Sequence, residues 1–280
     1  MIANQFPPLP LAEWQATRTT LHGYAQILGA IRGSLSPRQK HSGHRSLLVA
    51  GSGLTTTPIP GPASAGPLTF ELLLDLAVHR LVITSNRGHE VQHRLQGQSL
   101  AEFTDQVLTG LALMGANITL DRSPFSSAEA GAYDVGAVER FWQALSQVDQ
   151  VMRRFRGELR GETMPVQLWP HHLDLAMLWF SGRRVPGHET DKPQNADEQM
   201  NFGFSTGDEG IAEPYFYATA YPLPAELPNA KLPDGVTWHS QGWQGALLLY
   251  STLVGAPDAE ERLLNYLRTV QEAGERLMRA

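Results

Sequence analysis

Apolar residues recur along the 280-residue chain with two different periods. Leu21, Tyr24, Leu28, Ile31 and Leu35 stand three or four apart, which predicts a helix over residues 14–34. Pro37 follows, and a helix seldom continues into a residue that lacks the amide donor. The segments "SLLVAGSGLTT", "PLTFELLLDLA", "HRLVITS" and "HEVQHRLQ" then read as strands, with "NRG" (Asn86 to Gly88) as a tight hairpin turn. Ser99 is placed to cap a helix that carries Leu100, Phe103, Val107, Leu111 and Met114. "ANITLD" reads as a short edge strand.

The second half repeats this order. Val138, Phe141, Trp142, Leu145, Val148, Met152 and Phe155 form one apolar helical stripe. "MPVQLWPHHLDLAMLWF" reads as a long strand or a broken pair, followed by "QMNFGFST", "PYFYATAY" and "GALLLYS". Pro257 and Asp258 open a last helix through Leu263, Leu267, Val270 and Leu277. The echo of "IRGSL" at Ile31 in "FRGEL" at Phe155 marks the same place in each half. The expected fold is therefore α+β: two tandem α-β4-α units, residues 1–122 and 123–280, with antiparallel sheets packed as a pseudo-dimer. The polar segment "DRSPFSSAEAGAYD" reads as the linker. Arg183–Gln199 and Pro222–Gly235 are long irregular insertions of the second half, and loops of that length are usually functional or mobile.

Composition narrows the chemistry. The chain has no cysteine, which excludes disulfides, thiolate nucleophiles and zinc–thiolate sites. Its formal net charge is −6, and the basic stretch "VMRRFRGELRGE" is diluted by acids, so a nucleic-acid partner is not expected. No apolar run is long enough to span a bilayer, and no secretion signal is read at the start, so the expected location is cytoplasmic. No phosphate-binding loop, dinucleotide fingerprint or serine elbow occurs.

"TLHGYAQILGAIR", "SGLTTTPIP", "RFW" and "DLAMLWFSGR" together resemble an uncharacterised family of bacterial proteins over nearly the whole chain. The resemblance implies no reaction. It points to Asp174 and Arg183 more than to the paired histidines for a shared role.

Three constellations could carry chemistry. On a continuous strand His172 and Asp174 would share a face, and with His239 they would supply the two imidazoles and one carboxylate of a non-haem iron oxygenase. A second set joins His171 or His172 with Asp197, Glu198 or Glu213, suited to a divalent ion and metal-assisted hydrolysis. The third is a stripe on the first helix: His22, Gln26, Gly29 and Arg32. Its mixture of imidazole, amide, glycine and guanidinium suits a wall that orients a small anionic or polar ligand, and Gly29 would let another element approach. The aromatic residues of the second half, "YFY" among them, alternate faces, so some must leave the core.

The expectation is a protein that binds a small polar or anionic ligand in a cleft built mainly from the second half. Its wall would hold His171, His172, Asp174, Glu198 and Arg183, with His22, Gln26 and Arg32 from the first helix. The alternatives are an enzyme that uses a divalent metal at His172, Asp174 and His239, and a non-catalytic interaction protein.

Overall fold

A computed structural model describes residues 6–187, apart from 63 and 65, and 196–279. Four long helices alternate with two antiparallel sheets, so the fold is α+β. The first half runs α1 (Leu11–Leu35), β1 (Leu48–Val49), β2 (Gly53–Thr55), β3 (Ile59–Pro60), β4 (Thr69–Asp75), β5 (Arg80–Ser85), β6 (Glu90–Arg94) and α2 (Leu100–Leu113). The second runs α3 (Val135–Glu158), β7 (Gln167–Trp169), β8 (Asp174–Arg184), β9 (Asp197–Ser205), β10 (Tyr215–Tyr221), β11 (Val236–His239), β12 (Gly245–Leu249) and α4 (Ala259–Met278).

Each sheet has six strands where the hydrophobic pattern predicts four. The extra ones are short. "SLLVAGSGLTT" is a hairpin and not one strand, because the chain reverses between Val49 and Gly53 and β1 pairs back on β2. β3 has two residues, one of them proline, and β11 is the four-residue segment "VTWH". "ANITLD" is not a strand. The chain leaves α2 through Gly115, at a φ of 89°, whose amide bonds to the Ala112 carbonyl while that of Ala116 bonds to Leu111. This is a left-handed helix stop, and the segment continues as irregular chain.

The path through the sheets supports an internal duplication. The first is the meander β1-β2-β4-β5-β6, with β3 continuing beside β4; the second follows β7-β8-β9-β10-β12, with β11 added outside β12. The sequence echo also has a physical basis. Arg32 of "IRGSL" donates to both the carbonyl and the hydroxyl of Ser46, ahead of β1. Arg156 of "FRGEL" donates from Nε to the Thr163 hydroxyl at 3.1 Å, ahead of β7. In each half an arginine in the last turns of a helix braces the chain entering the sheet.

The residues fall into two compact units. One comprises Trp14–Trp142 with Leu168–Leu173; the other comprises Met1–Glu13, Gln143–Gln167 and Asp174–Ala280. In the first, α1 buries Leu21, Tyr24, Leu28 and Ile31 to 2% exposure or less. Tyr24 stacks on Phe103 of α2 and donates to the Gln98 carbonyl at 2.7 Å. β4 alternates half-buried and buried residues, as a strand with one core face should. In the other unit, Phe202, Phe204 and Phe216 form the apolar face of the sheet, and Phe155 of α3 meets Phe202 edge-on. Gly274 lets α4 settle on Met200, whose Sδ would lie 2.3 Å from a Cβ there.

Ser99 caps α2 as expected, its hydroxyl accepting the Glu102 amide at 3.1 Å. Replacing it with alanine should cost about 1 kcal/mol, read as a lower denaturant midpoint at unchanged slope. A Ser99→Ala protein as stable as the parent would show that the cap is dispensable.

Candidate functional site

Within each compact unit the structure sorts the residues singled out by pattern into separate groups. The segment from Trp169 to Leu173 is a turn. The amides of His172 and Leu173 both bond to the Trp169 carbonyl, and Leu173 takes a φ of 57°. The alternation that would align His172 with Asp174 is therefore broken, and β8 begins only at Asp174.

His22, His171 and His172 do come together, on α1 and on this turn. Pro170 fits against Gly29, where a Cβ would lie 2.7 Å from its Cγ. That contact needs glycine, as anticipated, and it seats the turn along α1. The exposed rings of His171 and His172 lie 4.3 Å apart between centroids. Arg18, one turn before His22, donates to the His172 carbonyl at 3.4 Å. The His22 Nε2 is buried without a hydrogen-bond partner among the described residues. Burial, and then the Arg18 guanidinium, pulls the His22 imidazole below its ordinary value; the Pro170 and His171 carbonyls oppose this, and His172 adds to it. Gln26 is half-buried on the same helix.

Arg32 belongs to the scaffold. It is 9% exposed and donates to the Gly43 carbonyl at 2.9 Å as well as to Ser46. Burial lowers its pKa. It holds the turn at Lys40–Arg45, in which His41 and Ser42 have φ of 49° and 60°. His44 is buried there and pulled down by burial and by Arg45, Arg38 and Arg32.

Asp174 lies apart from Glu198. β8 and β9 pair antiparallel, with Leu175 opposite Phe204 and Phe180 opposite Gln199. Asp174 is thus at one end of the ladder and Glu198 near the other, where the Ser181 hydroxyl donates to it. From Asp174 to Ser181 the strand covers about 23 Å, so the expectation that the two carboxylates share a cleft is corrected. Arg183 is exposed at that far end and donates to the Arg279 carbonyl at 3.2 Å. The middle of the Arg183–Gln199 insertion lies outside the described residues.

Asp174 is 8% exposed, and its Oδ2 accepts the Tyr217 hydroxyl at 2.5 Å. Tyr217 stands on β10, two strands away, and its ring crosses Gly203 of β9, where a Cβ would lie 2.2 Å from the ring. Burial, and then the Asp174 charge, raises the Tyr217 pKa, so it remains a donor. Trp243 stacks over Tyr215 and meets Tyr217 edge-on. These are the aromatics that leave the helix-covered face, and the Asp174–Tyr217 pair is a buried one in which Oδ2 is paired and Oδ1 has no hydrogen-bond partner among the described residues.

No three histidine, aspartate or glutamate side chains converge as metal ligands among the described residues. The set His172, Asp174 and His239 does not form: His239 Nε2 pairs with the Gln241 carbonyl at 2.8 Å and its ring lies on Trp243. The set with Asp197, Glu198 and Glu213 does not form either, since Asp197 pairs with Arg184 at 2.7 Å and Glu198 with Ser181.

Arg18 is the member of the histidine group that sequence reasoning missed. The signal was present in the charge pattern: residues 14–70 contain five arginine or lysine residues and no acid, in a chain of net charge −6.

A model described as a Family of unknown function (DUF5996) matches residues 6–279. No curated protein and no solved structure matches.

Loss of the Tyr217 hydroxyl should leave the Asp174 carboxylate short of a donor. Tyr217→Phe should therefore cost about 1–3 kcal/mol in urea unfolding. Gly203→Ala should also destabilise, because the ring can no longer lie across β9. A Tyr217→Phe protein within error of the parent would mean that water satisfies Asp174.

Proposed function

The chain belongs to this family of unknown function, whose description assigns no activity, and we propose from its own geometry that it binds a small anionic ligand at Arg18, His22, His171 and His172. The observation that carries this reading is the His22 Nε2, buried without a partner beside a guanidinium and two exposed imidazoles. A buried polar atom with no partner is unfavourable, and the positive charge of the Arg18 guanidinium favours a counter-ion beside it. The acid-free stretch that contains Arg18 and His22 adds to the local positive potential. His171 and His172 come from the second half of the chain, and α1 supplies the remainder. The ligand class is a carboxylate or an oxyanion small enough to lie on one helix and one turn.

The pH dependence has a definite sign. The folded-state pKa of His22 lies below 6.5, so the unfolded chain takes up this proton first. His22 therefore makes the fold lose stability as pH falls below its ordinary value and has no such effect well above it. An anion beside the ring reverses the bias by favouring the imidazolium. Citrate and inorganic phosphate should raise the melting temperature more at pH 6 than at pH 7.5. The gain should vanish in the Arg18→Ala, His172→Ala double variant. Without ligand, His22→Gln should flatten the fall in urea midpoint between pH 7 and 5.5. Stabilisation equal to that from sodium chloride of the same ionic strength, or retained in the double variant, would overturn the reading.

A further inference from the structure

The Pro222–Gly235 insertion, which the first half lacks, is not used by the histidine cluster. It folds into one wall of a groove in the same compact unit as α4. The groove is open to solvent along one side and has a volume of about 450 Å³, within the range of about 300–1,000 Å³ usual for small-molecule pockets. Its floor is apolar. Val236 of β11 and Leu248 of β12 are a directly paired couple at the edge of the sheet. Leu232 and Pro233 of the insertion extend it.

The walls carry both signs of charge. Lys231 and Asp234 come from the insertion, and Asp258, Arg262 and Asn265 from the start of α4. The last three stand at i, i+4 and i+7, one stripe of the helix facing the groove. Arg262 donates from Nη1 to the Thr252 carbonyl at 2.9 Å, which fixes its guanidinium. Its Nη2 reaches toward Gly235, lying 3.8 Å from where a Cβ would be. Asp258 occupies the N-cap of α4, yet its carboxylate accepts no capping hydrogen bond. Aspartate is favoured there because it normally does so. Neither Asp258, Asp234 nor Lys231 makes an ion pair with any described residue. The groove thus has a fixed guanidinium, an uncommitted carboxylate on the same helix stripe, and an apolar floor.

We propose that this groove binds an α-amino acid with an apolar side chain. Its carboxylate lies on Arg262, with Lys231 beside it, because a planar guanidinium suits a carboxylate. Its ammonium lies on Asp258, with Asp234 beside it. The side chain rests on Val236 and Leu248. A purely anionic ligand would leave Asp258 and Asp234 repelling it, and a purely cationic one would meet Arg262 and Lys231. Only a ligand with both charges satisfies both walls.

The test uses the full-length protein, methyl-labelled for NMR, with three probes that share the isobutyl side chain: L-leucine, 4-methylpentanoate and 3-methylbutylamine. Leucine should shift the Val236 and Leu248 methyl signals in a saturable way. Each probe with a single charge should bind about tenfold more weakly, a difference of roughly 1.4 kcal/mol. Asp258→Asn should weaken leucine and the amine but leave the acid unchanged. Arg262→Gln should weaken leucine and the acid but leave the amine unchanged. Asp258→Asn removes no capping bond, so it tests the site without unfolding α4. Absence of methyl shifts with millimolar leucine, equal binding of the three probes, or variants that fail to discriminate between them would each overturn the assignment. The histidine cluster is probed by different residues, and Arg262→Gln should leave the citrate and phosphate responses intact.

Discussion

The burial of a single carboxylate constrains the sheet of the second half. β8 is buried without interruption from Asp174 to Phe180, so an ionisable group at its head must find a donor inside the protein. The donor is the Tyr217 hydroxyl, and it can arrive only if the β8, β9 and β10 registers place a residue without a side chain between them. Gly203 is that residue. A shift of either ladder by one residue would put Phe202 or Phe204 under the tyrosine ring and turn the aromatic core face outward. The polar pair therefore locks the register on which the apolar packing of Phe202, Phe204 and Phe216 depends.

The helix α1 reconciles two demands in a similar way. One face is among the most buried in the molecule, with Tyr24, Ile27, Leu28 and Ile31 at 0% exposure. The adjoining stripe carries Arg18, His22, Gly29, Arg32 and Gly33, and the glycines let chain segments close over it: Pro170 at Gly29 and the Arg45 side chain at Gly33. Arg32 offsets its own burial by donating to main-chain carbonyls. Arg18 stays partly exposed, while the His22 Nε2 is buried beside a turn that carries two exposed histidines.

Helices and long strands were legible in the sequence because their periods are fixed by backbone geometry. The α1 and α2 boundaries followed from Pro37 and Ser99, and the Asn86–Gly88 hairpin from its turn residues. The short strands were not legible: two residues such as Ile59 and Pro60 have no period, and they exist because β4 offers them partners. The role of Gly29 was readable because a glycine on a polar helix stripe implies a close approach. Asp174 and Glu198 were misjudged for a different reason. Their distance depends on which end of an antiparallel ladder each occupies, and that needs the register. The left-handed Leu173 had no signal, since a leucine at positive φ is imposed by tertiary packing and is not a local preference. Arg18 stands where bases are sparse, and its signal is the absence of acids around it.

The compact units do not follow the order of synthesis. The unit of Trp14–Trp142 is completed only by Leu168–Leu173, which brings Pro170 to Gly29 and lets Leu168 exchange both backbone hydrogen bonds with Leu47 at 2.8 Å. At translation rates of about 5–20 residues per second, that closing segment is complete roughly 1.5 to 6 seconds after Trp142. During this interval the nascent chain has an unpaired strand edge at Leu47 and an uncovered glycine notch on its longest helix. The first unit is thus most open to misassociation while still on the ribosome, and a pause in translation between Trp142 and Leu173 would prolong that exposure.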